Sequence, residues 1–262
     1  MIQYTYFFIA NIFYYRLWCI EMNKSYRFKS RLIIALDPSP GLGDSLGWAL
    51  RIVSETKDLV AGYELGLPMI IRSGGLNNLA RLLDSMGDEK LKIADIKLAD
   101  INEMMILSVE PLIEIGFNAF TAHSFIGYDG GLHDLGEYLS RKNALLISIV
   151  SMSHRGGVEL FDKLLDRLVD IAIKSGSWGL VAPATRPWIL RQLRRLLEDR
   201  GWRHIKIIAP GIGAQGGLPG EALRNGADFE VVGRLITRDS SPRRKAMEIV
   251  SIHENILKTI ES

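Results

Sequence analysis

The stretch LKIADIKLADI, residues 91–101, decides how the rest of the chain is interpreted. It begins as an apolar run typical of a buried strand and then carries three charges within six residues. Residues two apart on a strand share a face, so Asp95 and Lys97 are expected to point the same way. Burying such charges costs several kcal/mol per ion, which favours a functional site over the alternative, a structural ion pair at the end of a strand.

Short apolar runs rich in Ile, Val and Ala alternate with longer amphipathic segments from Arg31 onward. Strands that alternate with helices predict a parallel sheet, and eight repeats predict that the sheet closes. The sequence therefore predicts an α/β protein with a single (β/α)8 TIM barrel as its catalytic domain, residues 31–262. A doubly wound open sheet is the alternative, but it does not need eight repeats. The predicted strands are residues 32–36, 59–65, 91–96, 119–123, 144–150, 179–181, 205–209 and 229–232.

The clearest predicted helix covers residues 158–174, where apolar side chains form one stripe opposite the charges. Pro111 lies inside the third helical segment and conflicts mildly with it. Pro242 follows two serines and suits the first position of a helix.

Composition excludes several classes of function. The net charge is +2, from 32 basic and 30 acidic residues, so nothing indicates a nucleic-acid or membrane partner. Cys19 is the only cysteine, which rules out an internal disulfide and a Cys/His metal site and favours a reducing cytoplasm. The 47% hydrophobic content is ample for one core.

Residues 1–30 form a hydrophobic extension unlike the rest of the chain. The first charge is Arg16, and the segment lacks the basic start and small-residue cleavage site of a secretory signal. A hydrophobic anchor, an extra helix on the barrel and an upstream start-site error are the three interpretations. We favour the last and expect residues 1–21 to be dispensable in a chain that begins at Met22.

Polar residues lie at or just after the ends of the predicted strands, at the face where TIM barrels carry their chemistry. Each alone is more simply structural, but their coincidence at one rim favours an active site. They are Asp37, Glu64, Asp95, Lys97, His123, Ser151 and Ser153.

Glycines follow strands seven and eight, in PGIGAQGG from Pro210 and in the pair Gly233-Arg234. Glycines let backbone amides approach an anion, and these two loops of TIM barrels often bind phosphate. Arg234 adds a charge-assisted fork. The sequence thus predicts a phosphorylated small-molecule substrate with its reacting end toward Asp95 and Lys97.

Together these residues resemble the orotidine 5′-phosphate decarboxylase family from about Arg31 to the last helix. The matching motifs are Leu36-Asp37, DIKLADI from Asp95, SMSH from Ser151, PATRP from Pro183, PGIGAQGG from Pro210, and Gly233-Arg234.

The resemblance implies cofactor-free decarboxylation of orotidine monophosphate to uridine monophosphate by a homodimer. Asp95 would lie against the departing carboxylate, and Lys97 would protonate the carbanion. The other implied roles are Asp100 and Ile101 reaching into the partner's site, Asp37 holding ribose, Ser153 the pyrimidine, and Pro210, Gln215, Gly233 and Arg234 the phosphate.

The sequence departs from the family pattern at three places. Glu64 stands where the family has a lysine, Asn102 and Met104 replace proline and threonine, and Arg155 replaces a proline. Glu64 sets three carboxylates against one lysine, which should raise a pKa or recruit a cation.

That substitution leaves two other functions open. Glu64 with Asp95 also resembles the Mg²⁺-dependent sugar-phosphate decarboxylases and aldolases of the same superfamily, in which both residues would bind the metal. A catalytically impaired nucleotide-binding homologue is the third interpretation. The residues after Asp100 and loops five to seven favour the orotidine branch, for which no metal is expected.

Overall fold

A computed structural model describes residues 28–261 of the chain. Eight parallel strands, each hydrogen-bonded to the next and β8 to β1, close into a barrel, so the predicted TIM barrel is confirmed and the open sheet is wrong. The strands are β1 (Leu32–Ala35), β2 (Gly62–Gly66), β3 (Leu91–Leu98), β4 (Ala119–His123), β5 (Leu145–Ile149), β6 (Gly179–Val181), β7 (Lys206–Pro210) and β8 (Phe229–Val232).

The helices surround the barrel. They are α1 (Ser45–Thr56), α2 (Leu67–Arg72), α3 (Leu76–Met86), α4 (Asn102–Glu114), α5 (His133–Arg141), α6 (Leu165–Lys174), α7 (Pro187–Asp199), α8 (Glu221–Arg224), α9 (Arg234–Thr237) and α10 (Pro242–Glu261). Short 3-10 turns cover Ser124–Ile126, Arg155–Val158 and Asp162–Leu164, and a π turn covers Tyr128–Leu132.

Strand residues alternate between two cores. One set, including Ile33, Ile93 and Ile147, fills the barrel interior, and the other packs between strands and helices. The Phe28 ring meets Phe229 and Trp178 edge to face, with centroids 5.1 and 6.3 Å apart. These rings fill the end of the barrel where the strands begin, so the interior opens at the opposite end.

The predicted helix over residues 158–174 is wrong in its first half, because α6 begins only at Leu165. Phe161 is buried, with its ring 5.7 Å from the His123 ring, and Asp162 binds Arg186 at 2.8 Å. These tertiary contacts bend residues 158–164 into short turns, which leaves Leu160 and Leu164 largely exposed.

Both prolines lie in helices. Pro111 lies within α4, where its ring removes one backbone hydrogen bond without ending the helix. Pro242 is the first residue of α10, as predicted. Within residues 28–261, no helix has the length and apolar character to cross a membrane. The predictions about residues 1–21 lie outside the described residues.

Candidate active site

A cavity of about 350 Å³ opens at the carboxyl ends of the strands. That volume lies within the roughly 300–1,000 Å³ of typical small-molecule sites. All but two of the predicted site residues line it: Asp37, Glu64, Asp95, Lys97, Ser153, Pro210, Gln215, Gly233 and Arg234. Asp100 and Ile101 lie outside the cavity, just beyond β3, and both are exposed.

An irregularity in β3 sets the direction of Asp95 and Lys97. Ala94 pairs with Phe120 on β4, and the next pairing joins Leu98 to Ala122. Lys97 has a φ of 49°, in the left-handed region that side chains rarely adopt. Bulges of this kind redirect side chains near active sites, and the strained backbone of Lys97 fits a functional position.

Thr121 on β4 holds this irregular segment in place. Its hydroxyl donates to Asp95 Oδ1 at 2.8 Å and accepts the Lys97 backbone N–H at 3.0 Å. A side-chain hydroxyl thus replaces the carbonyl that regular strand pairing would supply. Thr121 is buried, so the two bonds are shielded from water.

Asp95 and Lys97 form an ion pair through Asp95 Oδ2 and Lys97 Nζ. The Lys97 side chain is 42% exposed and that of Asp95 only 13%, so the ammonium extends into the cavity. Burial alone would favour the neutral amine, but the Asp95 carboxylate outweighs it and raises the Lys97 pKa, with help from Glu64. Lys97 is therefore a cation that holds its proton until a base forms beside it.

Glu64 and Asp37 crowd the same corner. Burial, followed by repulsion from Asp95, raises the pKa of Glu64 well above its ordinary value. Asp37 has a raised pKa for the same two reasons, opposed by Lys97 and by the Gly66 backbone. Lys97 lowers the pKa of both carboxyls, whereas Arg155 is exposed and does not line the cavity. The cation that opposes the raised pKa of Glu64 is thus Lys97 rather than Arg155.

The opposite wall of the cavity is formed by loop seven, residues 211–220, and the start of α9. Loop seven folds on itself: Gly213 N donates to Gly217 O at 2.7 Å, and Gly217 N donates to Gly211 O at 3.1 Å. Gly213 has a φ of +77°, and a Cβ there would lie 2.9 Å from Leu235 of α9. Only glycine allows this close packing.

Two arginines face the cavity from α9 and the residue after it. Arg234 is the first residue of α9, and Arg238 lies one turn later and also lines the cavity. Arg238 is not among the residues predicted from the sequence, although its spacing of four residues from Arg234 is a usable signal.

Loop five, residues 150–164, carries Ser153 into the cavity and is tied to the residues after β6. The buried Arg186 donates to Ser151 Oγ at 3.0 Å and to the Met152 carbonyl at 2.6 Å. Its Nε lies 2.8 Å from Asp162 Oδ2, and Ser151 donates to Asp162 Oδ1 at 2.6 Å. Arg186 belongs to the PATRP motif but has no predicted role of its own, and Asp162 has none either.

His123, another residue of the predicted rim, is buried at the end of β4 and does not line the cavity. Its ring stacks on Phe125 at 4.7 Å. Burial, together with the Lys97 charge, lowers its pKa to about 4, so the imidazole is neutral near pH 7. A neutral ring adds no cation to the Glu64 corner.

The closed barrel, its cavity and the charged groups with shifted pKa values define a class: a TIM-barrel enzyme with its active site at the carboxyl ends of the strands. Residues 30–249 match the model of the orotidine 5′-phosphate decarboxylase / HUMPS family. The chain belongs to this family.

Curated relatives and solved structures agree with that assignment. The orotidine 5′-phosphate decarboxylase of Aeropyrum pernix is 42% identical over 216 residues, covering 81% of this chain and 84% of the relative. That of Pyrococcus abyssi is 39% identical, covering 77% and 90%. The crystal structure of the Sulfolobus solfataricus enzyme matches with a TM-score of 0.74 and 31% identity, covering 87% of this chain and all of the other.

A further structure, from Methanocaldococcus jannaschii, is complexed with the inhibitor BMP and matches with a TM-score of 0.74, 26% identity and coverage of 85% and 98%. These relatives do not favour the Mg²⁺-dependent sugar-phosphate alternative. Within residues 28–261 no group of three or more His, Cys, Asp or Glu side chains is arranged as a metal site.

Proposed function

We propose that this chain is a carboxy-lyase that converts orotidine 5′-phosphate to uridine 5′-phosphate. The observation that carries the proposal is the Asp95–Lys97 pair, held by Thr121 at one end of a cavity whose other end is loop seven and Arg234. A substrate with an acidic ring at one end and a phosphate at the other fits this division.

The proposed reaction begins with the pyrimidine carboxylate beside Asp95. Two like charges at close range repel, and loss of CO2 relieves that repulsion. The carbon–carbon bond breaks, CO2 leaves, and the electron pair stays on the ring carbon. Lys97 stabilises this carbanion and then donates a proton to it. The neutral amine that remains takes up a proton from water before the next cycle.

Lys97 suits both tasks. Its raised pKa keeps it charged while substrate binds, and its position in a partly enclosed cavity strengthens its attraction for new negative charge. Because one lysine supplies both the charge and the proton, the proposed step balances without a metal or an organic cofactor.

The remaining predicted residues divide between the two ends. Asp37 would bind the ribose, Ser153 on loop five the pyrimidine, and Pro210, Gln215, Gly233 and Arg234 the phosphate. Glu64, whose pKa is raised by burial and by repulsion from Asp95, would contact the substrate beside Asp37 and Asp95.

A homodimer would explain the exposed residues beyond β3. Ile101, Met104 and Leu107 are 57%, 42% and 61% exposed at the start of α4. Apolar side chains gathered in this way are typical of an interface. Asp100 and Ile101 lie there rather than in their own cavity, which supports the proposal that each reaches the partner's site. A cytoplasmic location stays a prediction from composition.

The test is to mix the purified protein with orotidine monophosphate and follow the pyrimidine absorbance, with and without EDTA. We expect turnover that EDTA does not change. Binding of uridine monophosphate without loss of absorbance would instead indicate a catalytically impaired homologue.

Glu64→Lys sharpens this test. In an orotidine-type site the lysine restores the family residue, so activity should be unchanged or higher. If Glu64 were a Mg²⁺ ligand, the same substitution would place an ammonium where the metal binds and abolish activity. Strict Mg²⁺ dependence together with an inactive Glu64→Lys variant would overturn the proposal.

A further inference from the structure

A buried acidic residue lies behind the phosphate end, outside the cavity. Glu230 is on β8 between Phe229 and Val231, whose side chains fill the barrel interior, so its own side chain faces the helices. It is fully buried, and its Oε2 lies 2.8 Å from Nε2 of the equally buried His253 of α10. Such a pair stabilises no better than apolar residues of similar size, so its presence calls for another reason.

The Glu230 carboxylate binds the end of loop seven. Oε2 accepts the Gly220 N–H at 2.8 Å, and Oε1 accepts the Ala222 N–H at 3.0 Å. These amides begin α8, whose own N-terminal residue, Gly220, offers no side-chain cap. Glu230 thus supplies from β8 the cap that the loop lacks.

Gly220 also packs directly on α10. It has a φ of +86°, and a Cβ there would lie 2.1 Å from Ile256 Cδ1 and 2.9 Å from Ile252 Cγ2. His253 lies on the same helix between these isoleucines. The end of loop seven is therefore fixed between β8 and α10 by one carboxylate and one close backbone contact.

Gly220, the fixed end of loop seven, lies only a few residues along the chain from the part of the loop that would face the phosphate. Gly217 closes the loop by bonding to Gly211 and Gly213, and Gly211 lines the cavity. Gly233 and Arg234 follow Glu230 by three and four residues in the chain. Glu230 thus links the two parts of the cavity wall that would face the phosphate. Its side chain binds loop seven, and its strand leads into Gly233 and Arg234.

We infer that Glu230 and His253 are positioning residues, which hold loop seven so that its backbone amides and Arg234 converge on the substrate phosphate. This inference rests on the proposed function, because it requires that the phosphate binds at loop seven. The pair touches no substrate itself and acts through the loop.

Glu230→Gln tests the inference. The amide side chain presents N–H where a backbone N–H now donates, so loop seven should loosen. We expect the KM for orotidine monophosphate to rise about tenfold with little change in kcat, the loss of roughly one charge-assisted hydrogen bond. Affinity for uridine monophosphate should fall in parallel, whereas affinity for uridine should not change.

Asp228→Asn is the matched control. Asp228 is a largely buried carboxylate just before β8 that binds Arg194 and accepts the Ile207 N–H at 2.8 Å. Asp228 lies at the opposite end of β8 from Gly233 and Arg234. We expect both Asp228→Asn and Glu230→Gln to lower Tm. Only Asp228→Asn should leave the ratio of nucleotide to nucleoside affinity as in the wild type. An unchanged ratio in Glu230→Gln as well would overturn the inference.

Two histidine variants serve if Glu230→Gln does not fold. His253→Gln keeps an N–H donor for Glu230, and His253→Leu removes it. We expect the first to bind uridine monophosphate like the wild type and the second to lose about fivefold, the loss of roughly one ordinary hydrogen bond. Equal affinity in both variants would count against the inference.

Arg234→Ala separates this inference from the proposed function. If Arg234→Ala does not alter the ratio of nucleotide to nucleoside affinity, the phosphate site itself is misplaced. If Arg234→Ala changes this ratio but Glu230→Gln and His253→Leu do not, only the positioning role of Glu230 and His253 is wrong.

Discussion

The two ends of the cavity are built in different ways. At the β1–β3 end, side-chain charges are set by an irregular strand and by one hydroxyl, Thr121. At the β7–β8 end, backbone groups are set by glycine conformations, and Arg234 adds one charge. Chemistry needs a charge at one point, whereas phosphate binding needs several donors spread over a surface. Substitutions at the first end should therefore change kcat, and those at the second should change KM.

The largest expected effect is that of Lys97→Ala. The substitution removes the charge and the proton that act in the transition state, so kcat should fall by about a thousandfold or more. Affinity for uridine monophosphate should stay within a few fold, since the phosphate end is untouched. Stopped-flow absorbance and a binding titration measure the two; an unaltered kcat would remove Lys97 from its proposed role.

Arg234→Ala should give the reverse pattern. An arginine fork contributes to phosphate and nothing to a nucleoside, so nucleotide affinity should fall about thirtyfold, or about 2 kcal/mol. Uridine serves as the control ligand, and Arg238→Ala as the control variant with a smaller expected loss. Equal losses for uridine and uridine monophosphate would contradict the assignment.

Thr121→Val removes only the hydroxyl that joins Asp95 to the Lys97 backbone. The shape of the side chain is kept, but the Lys97 N–H loses its acceptor and Asp95 loses a donor. We expect kcat to fall about tenfold through misplacement of the pair, with KM little changed. Thr121→Ser keeps the hydroxyl and should retain most of the activity; a similar fall in both variants would mean that the methyl group matters instead.

The smallest expected effect is on stability, in Glu64→Gln. The pKa of Glu64 is raised in the folded chain, so between its ordinary value and that raised value the folded state binds more protons than the unfolded state. Stability from this residue is complete below the ordinary pKa and declines as pH rises.

Glutamine does not titrate, so the variant should gain Tm over the wild type as pH increases from about 4.5, by a few degrees. Thermal melts of both proteins from acid to neutral pH measure the difference. A difference that stays constant with pH would show that folding does not raise the pKa of Glu64.

The barrel could be predicted from the sequence because its signal is repeated. Each predicted strand overlaps the observed one, as with residues 144–150 against Leu145–Ile149. The prediction of a helix over residues 158–174 was wrong in its first half because Phe161 packs on His123 and Asp162 binds Arg186. Both partners are distant in sequence. Local periodicity carries no information about such partners.

The site could be predicted in its members but not in its geometry. Charged residues at strand ends and glycines after strands seven and eight identified the cavity lining. The left-handed backbone of Lys97 and the role of Thr121 have no local signal, since both follow from the register between β3 and β4. The Glu230–His253 pair was missed because a single acidic residue in an apolar strand does not show which helix will face it.

The irregularity in β3 has a mechanical meaning for the barrel as a whole. Ala94 and Leu98 remain paired to β4, so the ladder is continuous on either side of the charged pair. Between those two pairings, the Thr121 hydroxyl joins β4 to the Lys97 backbone and to the Asp95 side chain. The Lys97 amide proton should therefore exchange slowly in the wild type, because Thr121 accepts it, and faster in Thr121→Val, while the amides of the neighbouring strand residues keep their rates.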